Sequence, residues 1–193
     1  MDSNSEVVFD RPKSEDELAS ILKTVYAFAS SGNYDKAIGL CDWLQQDPAT
    51  ETAGRRQRSA VKTHLGDIDG AIADLRMVLE TDGAEPADFH ALGSLLLQAG
   101  STAEAIERFG DAVKIGEAVK NHYYTNSSLL FRAEGKLKVG DFAGALKVSN
   151  SFRMDIEPTF QVLACERRKK LLTKRSLPWS AKHNPSFSLR SKR

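Results

Sequence analysis

Cysteine is nearly absent from this chain: 193 residues contain two, Cys41 and Cys165. Both fall in segments that read as helices and lack ligand-like spacing, so they are expected to be reduced thiols, buried or half-buried. No apolar run approaches the length of a bilayer span, which argues against a membrane protein. Met1 to Pro12 is acidic, with neither a basic start nor an apolar run, so the expected location is cytoplasmic. Strand-type alternation of apolar and polar residues is missing too. Without strands no Gly-rich phosphate loop can follow one, and no nucleophile has a base at a recognisable motif distance. The four histidines, His64, His90, His122 and His183, share no metal-ligand spacing. The chain is therefore read as having no enzymatic activity, no metal and no cofactor.

Net charge is also close to absent, at +1, but the sum conceals an asymmetry. From Arg167 to the end there are ten Lys and Arg and no Asp or Glu, leaving 27 − 10 = 17 basic against 26 acidic residues before it. An acidic body of about −9 thus carries a basic appendage of about +10.

What the chain does have is helical periodicity. After a polar segment, 1–13, expected to be disordered, Ser14 and Glu17 form a Ser-x-x-Glu capping box. Leu18, Ile21, Leu22, Val25, Tyr26 and Phe28 then recur at three and four, until Ser30, Ser31, Gly32 and Asn33 end the helix. A second helix is expected from about Asp35 to Gln46, stopped by Asp47 and Pro48. The spacing between such pairs is the strongest signal. Gly32, Gly66 and Gly100 stand 34 apart, as do Ala37, Ala71 and Ala105; Gly140 and Ala145 repeat the features after 40 residues. Glycine suits a left-handed residue closing a helix, and alanine five positions on suits close helix contact. The six extra residues fall around Gly116 to Tyr123, most simply as a longer second helix in the third pair.

A 34-residue period with Phe89, Leu92, Gly93, Leu96, Ala105 and Phe109 in fixed places resembles the tetratricopeptide repeat (TPR) family. Four copies are expected, at about 18–51, 52–85, 86–119 and 126–159, within a repeat domain 14–157. The second is the weakest, because Arg55, Arg58 and Lys62 stand where apolar residues are expected. The resemblance implies an all-α, right-handed α-solenoid of about four helix pairs plus a C-terminal capping helix. That helix is read at 158–175, apolar on one face through Phe160, Leu163 and Leu171 and basic on the other, followed by a disordered basic tail, 176–193. Trp179 in the tail is either a docking motif or packed on the last helix.

The resemblance also implies that the first helix of each pair lines a concave surface. The register places there Tyr26 and Ser30, then Arg56, Ala60 and His64, then His90, Ser94 and Gln98, then Glu134 and Lys138. Arg55, Arg56, Arg58 and Lys62 form one basic cluster that could grip a carboxylate or phosphate, or be a solvated face. The clamp some family members use for the C-terminal carboxylate of chaperones is not supported, since Leu22 and Tyr26 occupy the places of its Lys and Asn. The function implied is a non-catalytic interaction module binding another protein, as a peptide or helix, with a chaperone or assembly adaptor as a specific form of that role. The alternative is a nucleic-acid-associated factor using the basic end.

Overall fold

The structure, a computed structural model, describes residues 11–151. The expectations for 1–10, for the capping helix at 158–175 and for the tail with Trp179 lie outside the described residues, as does Cys165. Eight α-helices and no strands occur among the described residues, and the chain divides into two compact units meeting at Ala84 and Glu85.

Unit 1 holds α1 (Glu15–Ser30), α2 (Tyr34–Leu44), α3 (Glu51–Leu65) and α4 (Ile68–Leu79). Unit 2 holds α5 (Pro86–Gln98), α6 (Thr102–Ala118), α7 (His122–Lys138) and α8 (Phe142–Asn150). The expected cap on α1 forms with one change: Ser14 Oγ accepts from Glu17 N–H at 3.2 Å, while the Glu17 carboxylate accepts from Lys13 N–H, at 2.7 Å, rather than from Ser14.

Within each unit, helices are joined into antiparallel pairs by one turn design. Gly32, Gly66, Gly100 and Gly140 all have φ between 77° and 85°, the left-handed region that glycine adopts without a Cβ clash. At each, the next residue's N–H reaches back five residues: Asn33 to Phe28, Asp67 to Lys62, Ser101 to Leu96 and Asp141 to Lys136, at 2.8 to 2.9 Å. This closes carbonyls the helix end would leave unpaired. Five residues past each glycine, Ala37, Ala71, Ala105 and Ala145 are completely buried. After Gly66 and Gly140 the turn continues into Asp67 and Asp141, whose carboxylates cap α4 and α8 by accepting from Gly70 and Gly144 N–H.

The longer second helix in the third pair is present, with α6 running to 17 residues. It ends in the same backward bond, Asn121 N–H to Gly116 carbonyl at 2.7 Å, but with Lys120 in the left-handed position at φ 57°.

Each unit has its own core. In unit 1, Ile21 and Val25 of α1 meet Ala37, Leu40, Cys41 and Leu44 of α2 and Val61 of α3. In unit 2, Phe109 is fully buried against Gly93, and Val113, Leu129, Ala133 and Val148 tie α6, α7 and α8 together.

Helix α3 shows why its sequence pattern looked irregular. Its inner face is small and polar, with Gly54, Ser59 and Val61 buried. A Cβ on Gly54 would sit 2.8 Å from the Cys41 carbonyl, so α2 and α3 approach backbone to backbone. Ser59 Oγ donates to the Ala71 carbonyl at 3.0 Å, satisfying a buried hydroxyl at the contact with α4.

Candidate functional site

The basic cluster on α3 is turned inward and paired. Arg58 donates through Nε to Asp74 Oδ2 at 2.9 Å, through its other terminal nitrogen to Asp74 Oδ1, and through Nη1 to Asp42 Oδ1 at 2.6 Å. Lys62 Nζ lies 2.9 Å from Asp74 Oδ2. Asp74 is buried on α4, and its burial pushes the carboxyl toward protonation, but the hydrogen bonds and charges of Arg58 and Lys62 outweigh this and hold it below the usual range. Hydrogen bonding to Asp74 raises Arg58 against the opposing effect of burial. Arg55 pairs with Glu51 at 2.8 Å, and Arg56 donates to the Gly83 carbonyl at 2.6 Å. Arg58 therefore links α3 to both α2 and α4 and Lys62 links α3 to α4, and an anion-gripping role for the cluster would have to displace the partners of all four cations.

The surface residues expected from the register fall into two patches, one per unit. In unit 1, Tyr26 on α1 is 70% exposed, and Ser30 is exposed beside it. On α3, which packs against α1, Ala60 and His64 are exposed and Arg56 is half-buried. In unit 2, Gln98 on α5 and Lys138 on α7 are exposed, while Ser94 and Glu134 are half-buried.

His90 is placed differently from an open contact residue. Its Nδ1 is 2.9 Å from Ser128 Oγ and its Nε2 is 3.4 Å from Ser127 Oγ, both on α7. Phe131 meets the ring edge-on at 5.3 Å, and Phe109 and Tyr124 flank it at 5.5 and 5.7 Å. Burial lowers the imidazole pKa to about 4, so the ring is neutral at pH 7 and joins α5 to α7. Ser94 Oγ donates to the His90 carbonyl at 3.0 Å within α5. Ser127 and Ser128 belong to a run, Thr125 to Ser128, that is entirely buried although every member is polar. That run is the only local signal of the contact, and apolar periodicity does not detect it because it assigns polar residues to solvent.

Cys41 is buried in the unit 1 core, and burial, aided by the Asp42 charge, pushes its thiol up to about 12. Among the described residues no group of three or more His, Cys, Asp and Glu side chains could hold a metal ion, and no helix is long and apolar enough to cross a membrane.

Eight helices joined in pairs by left-handed turns, with buried alanines at fixed offsets, define an all-helical repeat protein. Solved structures place that fold more closely. The chain is similar to the nearly identical TPR-like repeats of a putative kinesin light chain from Podosopora anserina, with a TM-score of 0.61 and 15% identity over 90% of this chain and 100% of that one. A variant of the same repeats matches at TM-score 0.62 and 15% identity, over 84% of this chain and 93% of that one. MamA matches at TM-score 0.59 and 16% identity, over 78% and 94%. No model of a known protein family and no curated protein matches the sequence. The fold is that of the TPR-like solenoids.

Proposed function

We propose that this chain is a non-catalytic protein-interaction module that works in the cytoplasm and takes a peptide or helix of another protein along the first helices of its pairs. The observation that carries this is Tyr26, a large aromatic left 70% exposed on α1, while Ala60 and His64 are exposed on α3, a helix in contact with α1. Aromatics buried on binding dominate interface energies, so a tyrosine presented on a rigid helix is a natural anchor point. A preformed scaffold also lowers the ordering cost of binding. The fold supports the reading because stacked helix pairs serve as platforms for partners, though fold alone does not select one.

The test is affinity capture from the source lysate with nuclease present, comparing the full chain with Tyr26→Asp and Gln98→Glu, followed by titration of the recovered protein. Loss of at least about tenfold in affinity with Tyr26→Asp, at weak salt dependence, supports the reading. Unchanged affinity in both variants refutes the proposed surfaces. Affinity that falls steeply with salt and vanishes with nuclease would favour the basic-end, nucleic-acid alternative.

A further inference from the structure

The turn glycines put α3 and α7 in a common register. Arg58 stands eight residues before Gly66 and Arg132 eight before Gly140, while Lys62 and Lys136 each stand four before the same glycines. Both helices therefore present an arginine and, one turn on, a lysine at matching places. Their surroundings differ. Arg58 takes Asp42 from α2, ten residues past Gly32, and Asp74 from α4, eight past Gly66. The matching places in unit 2 are Gly110 on α6, ten past Gly100, and Val148 on α8, eight past Gly140. Neither has a side-chain oxygen, and Arg132 Nε is buried with no acceptor among the described residues.

The place of the missing α6 carboxylate adjoins the guanidinium. A Cβ built on Gly110 would lie 3.5 Å from Arg132 Cζ, 3.6 Å from Nη2 and 3.7 Å from Nε, all ordinary contact distances. Arg132 as a whole is half-buried, so part of it still faces solvent. A buried donor left unpaired destabilises the free chain, and leucine serves at the same place in α5, where Leu92 is buried eight residues before Gly100. Of the basic residues nearest in sequence, Lys136 is matched by Asp141 at 2.7 Å and Arg108 by Asp111 at 3.1 Å. One unmatched guanidinium suits one carboxylate, the group that Arg58 takes at this place, better than a phosphate dianion.

The geometry points to a carboxylate-binding site at Arg132, which takes a single Asp or Glu side chain of a partner protein in the place that Asp42 fills beside Arg58. The site lies in the unit that does not hold Tyr26, and it does not rest on that surface.

The test uses the full chain, labelled with 15N, and follows the Nε–H resonances of Arg132 and Arg58 by NMR at constant ionic strength. The probes are glutamate blocked at both ends, blocked glutamine and inorganic phosphate. Blocked glutamate is expected to shift Arg132 saturably and leave Arg58 in place, while blocked glutamine shifts neither. Gly110→Asp supplies the carboxylate within the chain, so it should abolish that shift and melt about 2 °C or more above Gly110→Asn, which keeps the shift. Arg132→Leu should melt no lower than wild type. Equal melting of Gly110→Asp and Gly110→Asn, a glutamate shift no larger at Arg132 than at Arg58, or tighter binding of phosphate than of glutamate would each overturn the site. A fall of more than about 3 °C in Arg132→Leu would overturn it too, because the arginine would then serve the fold.

Discussion

Removing the Asp74 carboxylate should cost far more than removing its neighbour's, although both accept from Arg58. Asp74 is 3% exposed and receives two bonds from Arg58 and one ion pair from Lys62; Asp42 receives a single bond from Arg58 and has about half its side chain in water. In Asp74→Ala, two cations lose their main partner inside the α2–α3–α4 contact. Breaking a buried pair from one side costs about 3 to 5 kcal/mol. The side chains of Arg58 and Lys62 are about one fifth exposed and Arg58 keeps Asp42, so the smaller figure of about 2 to 3 kcal/mol is expected here. Asp42→Ala should cost less than about 1 kcal/mol. Replacing the pair together, Arg58→Leu with Asp74→Leu, should cost less than Asp74→Ala alone, since no cation is left facing a missing carboxylate. Urea unfolding followed by circular dichroism measures all three, provided the slopes match. The pH dependence has a defined sign. Because the folded state holds the Asp74 carboxyl low, its stabilisation is present above the unfolded carboxylate value of about 3.9 and is lost as pH falls toward the folded one. The gap between wild type and Asp74→Ala should therefore close in acid. Equal, small losses for Asp42→Ala and Asp74→Ala would refute the reasoning.

Three further outcomes are expected. Gly93→Ala puts a Cβ within 3.0 Å of three ring carbons of the fully buried Phe109, and should lose about 1 to 2 kcal/mol; Gly39→Ala, with nothing within 4 Å, should gain roughly 0.5 kcal/mol, both read by thermal unfolding. Lys120→Gly relieves a left-handed lysine and should gain up to about 1 kcal/mol, whereas Gly32→Ala, at φ 77°, should lose about as much. His90, with its folded pKa lowered to about 4, stabilises fully above its unfolded value near 6.5 and loses up to roughly 3 kcal/mol as pH falls between the two; the slope of stability with pH in that window should flatten in His90→Gln, and an unchanged slope would refute the assignment.

The turns were legible because they are local. A glycine that must sit at positive φ, and an alanine five residues later that must admit a neighbouring helix, leave a mark at one position each, and all four copies carry it. The extension of α6 was readable for the same reason, as a change in spacing. Helix α3 was expected from the period, but its pairing was not legible, because Arg58 reaches Asp42 and Asp74, each 16 residues away, and ion pairing replaces the apolar stripe that periodicity detects. His90 shows the same limit on a longer scale. Its position on the first helix of a pair was given by the period, but its partners Ser127 and Ser128 lie 37 and 38 residues on, and no local pattern announces a buried serine. Tyr26 needed no partner to be found, and it is the member of the expected surface with the largest exposed aromatic area. Arg11, whose guanidinium carbon stands 4.8 Å from the centre of the Trp43 ring, had no sequence signal for that contact, since a single arginine before a proline is common and only the return of α2 alongside α1 brings the indole to it.

The unit 1 core draws on three helices, and this has a consequence during synthesis. Leu44 and Cys41 are complete as residues once α2 has emerged, yet Val61 of α3 is part of the cluster that covers them. At about 5 to 20 residues per second, the interval between the end of α2 and the end of α3 lasts roughly one to four seconds. Throughout it the first helix pair exists with one flank of its core open to whatever meets a nascent chain. Substitutions that slow the docking of α3, above all at Gly54 where the backbones must touch, would lengthen that exposure before they altered the finished fold.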